Sequence, residues 1–369
     1  MIGRQALGCT VIATVQMHEQ ADPHILIDRR GAAGLITLNR PQALNALTRS
    51  MIRRLRAILD AWREDADVTR VIVTAVPGRA FCAGGDLREI YDLGRAGRQA
   101  EALAFFREEY ALNSAIKHYP KPHIALIDGI VMGGGVGISA HGSHRVAGEA
   151  LAFAMPEVGI GFFPDVGATW LLSRLPAQIG TYCALTADRL NMADALSVGV
   201  ATHRVPAQQL MDLREALCGT AAVDDVIADF ATAWEGGPVF AQRATISRMF
   251  AGETVEDILA ALDREIGASG DPAWATRTAA MMRAKAPLSL KIALAQMRKG
   301  LGWSFDECMR AEFRIVSRIL YEHDFYEGVR ALIVDKDNKP CWHPDRLDAV
   351  SRSDVDRHFA EIDEEFAAS

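Results

Sequence analysis

The chain has 369 residues, half of them hydrophobic and 24% charged, with 47 acidic against 40 basic side chains and a formal net charge of −7. That balance argues against a disordered chain and against nucleic acid as the main partner. Six scattered cysteines with no C-x-x-C or Cys/His cluster argue against zinc and a disulfide framework, a reducing cytoplasm fits, and no run of about 18 apolar residues suggests a membrane span.

The start, "LGCTVIATVQM" after Arg4, resembles a short signal core but lacks a small-residue cleavage site. Residues 1–22 are therefore expected to be disordered or extended, with Met17 an alternative start. "HILIDRRGAAGLITL" reads as a β-hairpin, Ile25–Asp28 and Gly34–Leu38 around a glycine turn, which Pro41 ends. Thr48 can cap a helix whose Ile52, Leu55, Ile58, Leu59 and Trp62 recur at helical spacing. Arg70–Ala75 is a continuous apolar run, as a strand buried on both faces requires.

"FCAGGDL" is a glycine turn opening a helix at Asp86, and a long helix is expected over Arg98–His118. His123–Ile127 reads as a strand, followed by a second glycine turn and a helix from about Gly134. A short strand is expected at His144–Ala147. Strand, glycine turn and helix in repeated order point to stacked β-α units. From about Pro176 the chain turns mostly helical, with helices such as Ser289–Arg298 and Ser304–Leu320. The expected division is a spiral core over residues 23–205 and a mainly helical region over 206–369, packed on it without a linker.

Two acids stand alone in "FAMPEVGIGFFPDVGATW" (Phe153–Trp170): Glu157 and Asp165, eight residues apart among apolar, glycine and proline neighbours. Burying a carboxylate there is costly unless it is paired, hydrogen-bonded or neutral. Either they cap helices, Asp165 the one starting near Val166, or they do chemistry. A third acid emerges from periodicity. At about 100° per residue, Glu109 lies amid Ala102, Phe105, Phe106, Leu112 and Ile116, whereas Glu108 falls on the polar edge. A helix-edge Glu109 paired with Arg107 or Lys117 is the alternative. His141 and His144, three apart without an acidic pair nearby, read as surface or cap residues.

The glycine turns Ala80–Asp86 and Met132–Gly137 each follow a strand and precede a helix. Unpaired N–H groups at such a place suit a negative oxygen, and two aimed at one point make an oxyanion hole. Glycines also serve turn geometry alone. Neither turn is a P-loop or a G-x-G-x-x-G fingerprint.

Taken in order, "NRPQALNALT", "AFCAGGDL", "MGGGVG", "MPEVGIGFFPDVG", "ALTADRLNMADALSVGVATHRV" and "DFYEGVRALIVDKDNKPCW" resemble the crotonase (enoyl-CoA hydratase/isomerase) superfamily, and within it the 3-hydroxyisobutyryl-CoA hydrolase branch. The resemblance spans roughly residues 24–343. It implies an α/β fold, the crotonase ββα superhelix with a helical C-terminal region. It further implies an acyl-CoA thioester whose carbonyl oxygen sits between the N–H groups of Ala83 and Gly134, a catalytic acid/base at Glu157, a branch-typical Asp165, also expected to be catalytic, and a substrate-contacting Glu109, with Asp165 and Glu109 expected to hold the substrate's hydroxyl and help place water. Ala43, Asn45, Gly85 and Asp86 would line the coenzyme A path. No metal or separate cofactor is implied, because coenzyme A belongs to the substrate. An acyl-CoA is the expected partner, without nucleic acid or membrane, and self-association as a homo-oligomer is compatible with the sequence. Hydratases carry a second glutamate where this chain has Gly137. Adding water across C=C uses two carboxylates, so the expectation is a short branched 3-hydroxyacyl-CoA hydrolase, with enoyl-CoA hydratase or isomerase as the alternative.

Overall fold

The computed structural model describes residues 22–266 and 271–367; the expectations for the first 21 residues lie outside that range. Among the described residues, ten strands form two sheets. The hairpin is β1 (Ile25–Arg30) and β2 (Ala33–Leu38), antiparallel in the register Ile25↔Leu38. It continues into parallel β3 (Arg70–Ala75), β5 (His123–Ile127), β7 (His144–Ala147) and β10 (His203–Arg204). The smaller sheet holds β4 (Ala80–Cys82), β6 (Ile130–Met132), β8 (Ala152–Ala154) and β9 (Leu190–Asn191), parallel except at β9. The chain thus alternates between the sheets, with helices between successive turns of a spiral.

The continuous apolar runs are explained by burial on both faces. Val71, Val73, Ala125 and Ile127 enter the main core. Ile72, Ile124 and Leu126 face the other way, into a second cluster covered by Leu213, Val226 and Ile227, from helices Leu210–Ala216 and Val223–Phe230. Thr48 caps helix Arg49–Glu64 by accepting from Met51 N–H, and its buried stripe is the one read from spacing, with Met51 added. The expected long helix is Gln99–Lys117. The helix at Gly134 is a single turn, Gly134–Gly137, as four residues with three glycines favour.

No strand follows Arg204 among the described residues. Helices Pro287–Gly300, Phe305–Ile319 and His323–Val329 return to pack on the spiral, against Ala168–Ser173, Gln99–Lys117 and the turn Glu157–Ile160 respectively. That last contact is close: a Cβ on Gly161 would lie 2.2 Å from Asp324 O, so the turn can end only on glycine, here at φ 68°. No described helix is long and apolar enough to cross a membrane.

Candidate active site

Parallel pairing assembles the site. β4, β6 and β8 run side by side, so their C-terminal ends lie at one end of the sheet. The chain leaves β4 into Ala83-Gly84-Gly85-Asp86, β6 into Gly133–Gly137, and β8 into Met155-Pro156-Glu157. Two glycine turns and the lone glutamate are therefore brought together by strand register alone.

The glycine turns abut. A Cβ on Gly134 would lie 3.3 Å from Gly84 C, and one on Gly84 would lie 3.8 Å from Gly134 N. Gly134 N–H starts its helix and has no partner among the described residues. Ala83 requires a correction: its N–H donates to Leu44 O on a neighbouring loop at 3.0 Å, so it is spent within the protein. Gly85 N–H, on the peptide next to Gly134, has no such partner among the described residues. The free pair is Gly85 and Gly134.

Asn45 is corrected as well. It is 0% exposed, its Nδ2 donates to Ala80 O at 3.0 Å and its Oδ1 accepts from Arg40 N–H at 2.7 Å. Its side chain is buried away from any open path and ties the loop to β4. Asp86 pairs with Arg40 at 2.8 Å and caps helix Leu87–Arg95. Ala43, half-buried, ends the turn Pro41–Ala43. Beside Asp86 lies a cavity of about 580 Å3, lined among others by Phe105, Arg49 and Arg98.

The three acids converge. Glu109, Glu157 and Asp165 are 2%, 6% and 4% exposed. Glu108, by contrast, pairs with Arg49 and Arg53 at 2.7 and 2.8 Å, so the helical phase separates the two glutamates as expected. Glu109 Oε1 would touch a Cβ on Gly134 at 2.4 Å, and Glu157 Oε1 one on Gly133 at 3.2 Å. Glycine at both positions leaves room for the carboxylates. Desolvation raises Glu157 to about 8, helped by the nearby charges of Glu109 and Glu312. Desolvation also raises Glu109 to about 8. Asp165 is driven well above the usual range by burial, then by Glu109, Glu157 and Glu312, against the lowering effect of the Tyr110 hydroxyl. All three favour the neutral form at pH 7.

Neither Glu157 nor Asp165 caps a helix. Glu157 opens a 3-10 turn without a side-chain cap bond. Asp165 Oδ2 accepts from Tyr110 Oη at 3.0 Å. The helix after it, Ala168–Ser173, is capped from elsewhere: Glu312 accepts from Gly167 N–H at 2.7 Å and Thr169 N–H at 2.9 Å. Glu312 is raised to about 7, chiefly by desolvation. His141, expected to be a surface or cap residue, is buried and bonds Val166 O through Nε2 at 2.7 Å; burial lowers it to about 4. His144 is half-buried on β7 and pairs with Asp224 at 2.8 Å.

Tyr110, Glu312 and Asn113 were not singled out from the sequence. Asn113 lies four residues after Glu109, and Glu312 sits among Phe305, Cys308, Met309 and Val316 on the buried side of its helix. The periodicity that marks Glu109 marks both. Asn113 is fully buried, and a Cβ on Gly137 would meet its Nδ2 at 2.5 Å and Val166 Cβ at 2.9 Å. A side chain at 137 would have to displace the Asn113 amide and Val166, and the chain carries glycine, not a second acid, there.

A family model described as enoyl-CoA hydratase/isomerase matches residues 33–359. A relative from Danio rerio named "3-hydroxyisobutyryl-CoA hydrolase, mitochondrial" is 41% identical over 94% of this chain and 92% of its own. One of the same name from Homo sapiens is 39% identical over 94% and 90%. These names lend no support to the cytoplasmic location. Two solved structures superpose closely. A carnitinyl-CoA dehydratase from Mycobacterium thermoresistibile is 40% identical, with a TM-score of 0.88 over 94% of this chain and 99% of its own. An enoyl-CoA hydratase from Rhodobacter sphaeroides is 37% identical, with a TM-score of 0.87 over 93% and 99%. The names differ in reaction, but the fold is shared, and this chain belongs to the enoyl-CoA hydratase/isomerase (crotonase) family.

Proposed function

We propose that this protein hydrolyses the thioester of a short branched 3-hydroxyacyl-CoA, with 3-hydroxyisobutyryl-CoA its substrate, giving the free acid and coenzyme A. The names of the relatives at about 40% identity support the substrate. The observation that carries the reaction type is the filled space at Gly137. The resemblance puts the second carboxylate of a hydration at position 137, where this chain has glycine and a side chain would have to displace Asn113 and Val166. Thioester hydrolysis needs one base or nucleophile and an oxyanion hole.

In this reading the thioester carbonyl oxygen lies between Gly85 N–H and Gly134 N–H, and coenzyme A leaves through the cavity beside Phe105 and Asp86. Glu157 serves the attack on the carbonyl carbon, drawing a proton from water or adding to the carbon itself ahead of water. Negative charge builds on the carbonyl oxygen and is met by the two N–H groups. When the tetrahedral centre collapses, the C–S bond breaks and the sulfur takes up a proton. Water supplies OH to the acyl group and H to the thiol, so the reaction balances without a cofactor. Asp165, oriented by Tyr110, and Glu109 border the acyl group.

The test is a panel of acyl-CoAs with purified protein. Free thiol released fastest from 3-hydroxyisobutyryl-CoA is the expected result. Loss of enoyl absorbance from an enoyl-CoA without thiol release would make the protein a hydratase instead.

A further inference from the structure

Three polar side chains line up along the turn Gly133–Gly137. Glu157 Oε2, Glu109 Oε1 and both ends of the Asn113 amide make no hydrogen bond to any described residue. A Cβ on Gly133 would approach Glu157, one on Gly134 would approach Glu109, and one on Gly137 would approach Asn113. The two carboxylates have work in the chemistry above; Asn113 has none.

Asn113 is 0% exposed and lies one helical turn beyond Glu109 on the same face of Gln99–Lys117. It also adjoins the Asp165 loop, since the space a Gly137 Cβ would take lies 2.9 Å from Val166 Cβ. Packing alone would be better served by leucine, because an interior amide with neither end satisfied is costly. Such an amide calls for a partner that both donates and accepts. A hydroxyl does both.

We infer that Asn113 is a substrate-contacting specificity residue whose amide holds the 3-hydroxyl of the acyl group, Nδ2–H donating to the hydroxyl oxygen and Oδ1 accepting its proton. Being neutral, it orients the alcohol without exchanging protons with carbon. It also occupies the space that a side chain at 137 would need, so hydroxyl selection and the absence of a second acid have one structural cause. The inference rests on the hydrolase reading.

Wild type and Asn113→Leu are compared by thiol release from 3-hydroxyisobutyryl-CoA and isobutyryl-CoA, with melting curves alongside. Wild type should prefer the hydroxylated thioester. In Asn113→Leu that preference should shrink by about 10- to 100-fold, since a site built to bond a hydroxyl discriminates strongly against its absence. The loss should fall on kcat/KM for the hydroxylated substrate, with isobutyryl-CoA little changed. An unchanged ratio overturns the inference, whether both rates fall together, as for an amide that only packs or holds water, or neither falls. If Asn113→Leu does not fold, Asn113→Ala is read by the same ratio. Wild type that releases thiol without preferring the hydroxyl overturns the role of Asn113 alone. Wild type that releases no thiol from any acyl-CoA overturns the hydrolase reading and this inference with it.

Discussion

Glu157 combines two properties that a surface glutamate lacks. Its carboxyl is nearly dry, and its neighbours are acids, so its proton leaves near pH 8 rather than near the ordinary 4.5. A base or nucleophile works ionised, so the rate should rise with pH through that region. Glu157→Gln should lower kcat by ~10² or more while the protein stays folded. In wild type, kcat/KM should climb between pH 6 and about 8. A profile flat over that range would remove Glu157 as the titrating group. The neighbouring pair in "REEY" supplies an internal control. Glu108 is satisfied by Arg49 and Arg53 near the surface, where such pairs contribute ~1 kcal/mol or less. Glu109 faces Gly134. Glu109→Gln should raise KM or lower kcat at least about tenfold, within the usual range for a lost site group, whereas Glu108→Ala should leave both nearly unchanged. Equal losses would mean that Glu109 is not at the acyl group.

The segment Pro164–Thr169 shows how an element far along the chain sets up a catalytic loop. Val166 and Gly167 have φ of 53° and 84°, an arrangement that for a β-branched valine must be held by its surroundings. Four buried side chains hold it. Gln296 donates to Pro164 O at 2.9 Å and to Thr169 Oγ1 at 2.7 Å. His141 bonds Val166 O, Tyr110 bonds Asp165, and Glu312 takes the N–H groups of Gly167 and Thr169. Two of the four, Gln296 and Glu312, come from the C-terminal helices, so the helical region is part of the site's scaffold. Glu312→Ala leaves two interior N–H groups unpaired, a loss of about 2–4 kcal/mol. The melting temperature should fall by ~3–5 °C, and kcat should fall with it as Asp165 loses its orientation. Full activity with a lowered melting temperature would separate the cap from the chemistry.

For the whole molecule, the cluster makes stability depend on pH in an unusual direction. Glu109, Glu157, Asp165 and Glu312 all have folded values raised above the unfolded ones. Such groups contribute fully below the unfolded value, and the contribution is lost as pH rises through the folded one. His123 and His141 act oppositely. Burial lowers both to about 4, so their contribution is present above the unfolded value and lost as pH falls. The two effects oppose each other below about pH 7, and above it the carboxylates dominate. The melting temperature should therefore fall between pH 7 and about 8.5, and Glu157→Gln should flatten part of that fall. A melting temperature that rises across this range in wild type would mean the carboxylates are ionised and paired in the fold.

Local rules suffice wherever a property depends on neighbours in the chain. The runs Arg70–Ala75, His123–Ile127 and His144–Ala147 are strands over the expected residues, because β-rich apolar stretches bounded by turns have few other places to go. Thr48 caps its helix, and the period of Gln99–Lys117 turns Glu109 inward, for the same reason: the geometry repeats within a turn or two. The lone charges in Phe153–Trp170 already signalled an expensive burial with a purpose. Hydrogen-bond availability is a different kind of property. Ala83 N–H and Asn45 look free in a linear reading, and each is bonded to a partner distant in the chain, Leu44 O on another loop in one case and Ala80 O of β4 in the other. Parallel pairing of β4, β6 and β8 chose which N–H groups face each other. The return of Phe305–Ile319 made Glu312, rather than Asp165, the cap of Ala168–Ser173. Periodicity can say that a side chain points inward, but its partner and its proton are decided by groups that become neighbours only when the chain has folded.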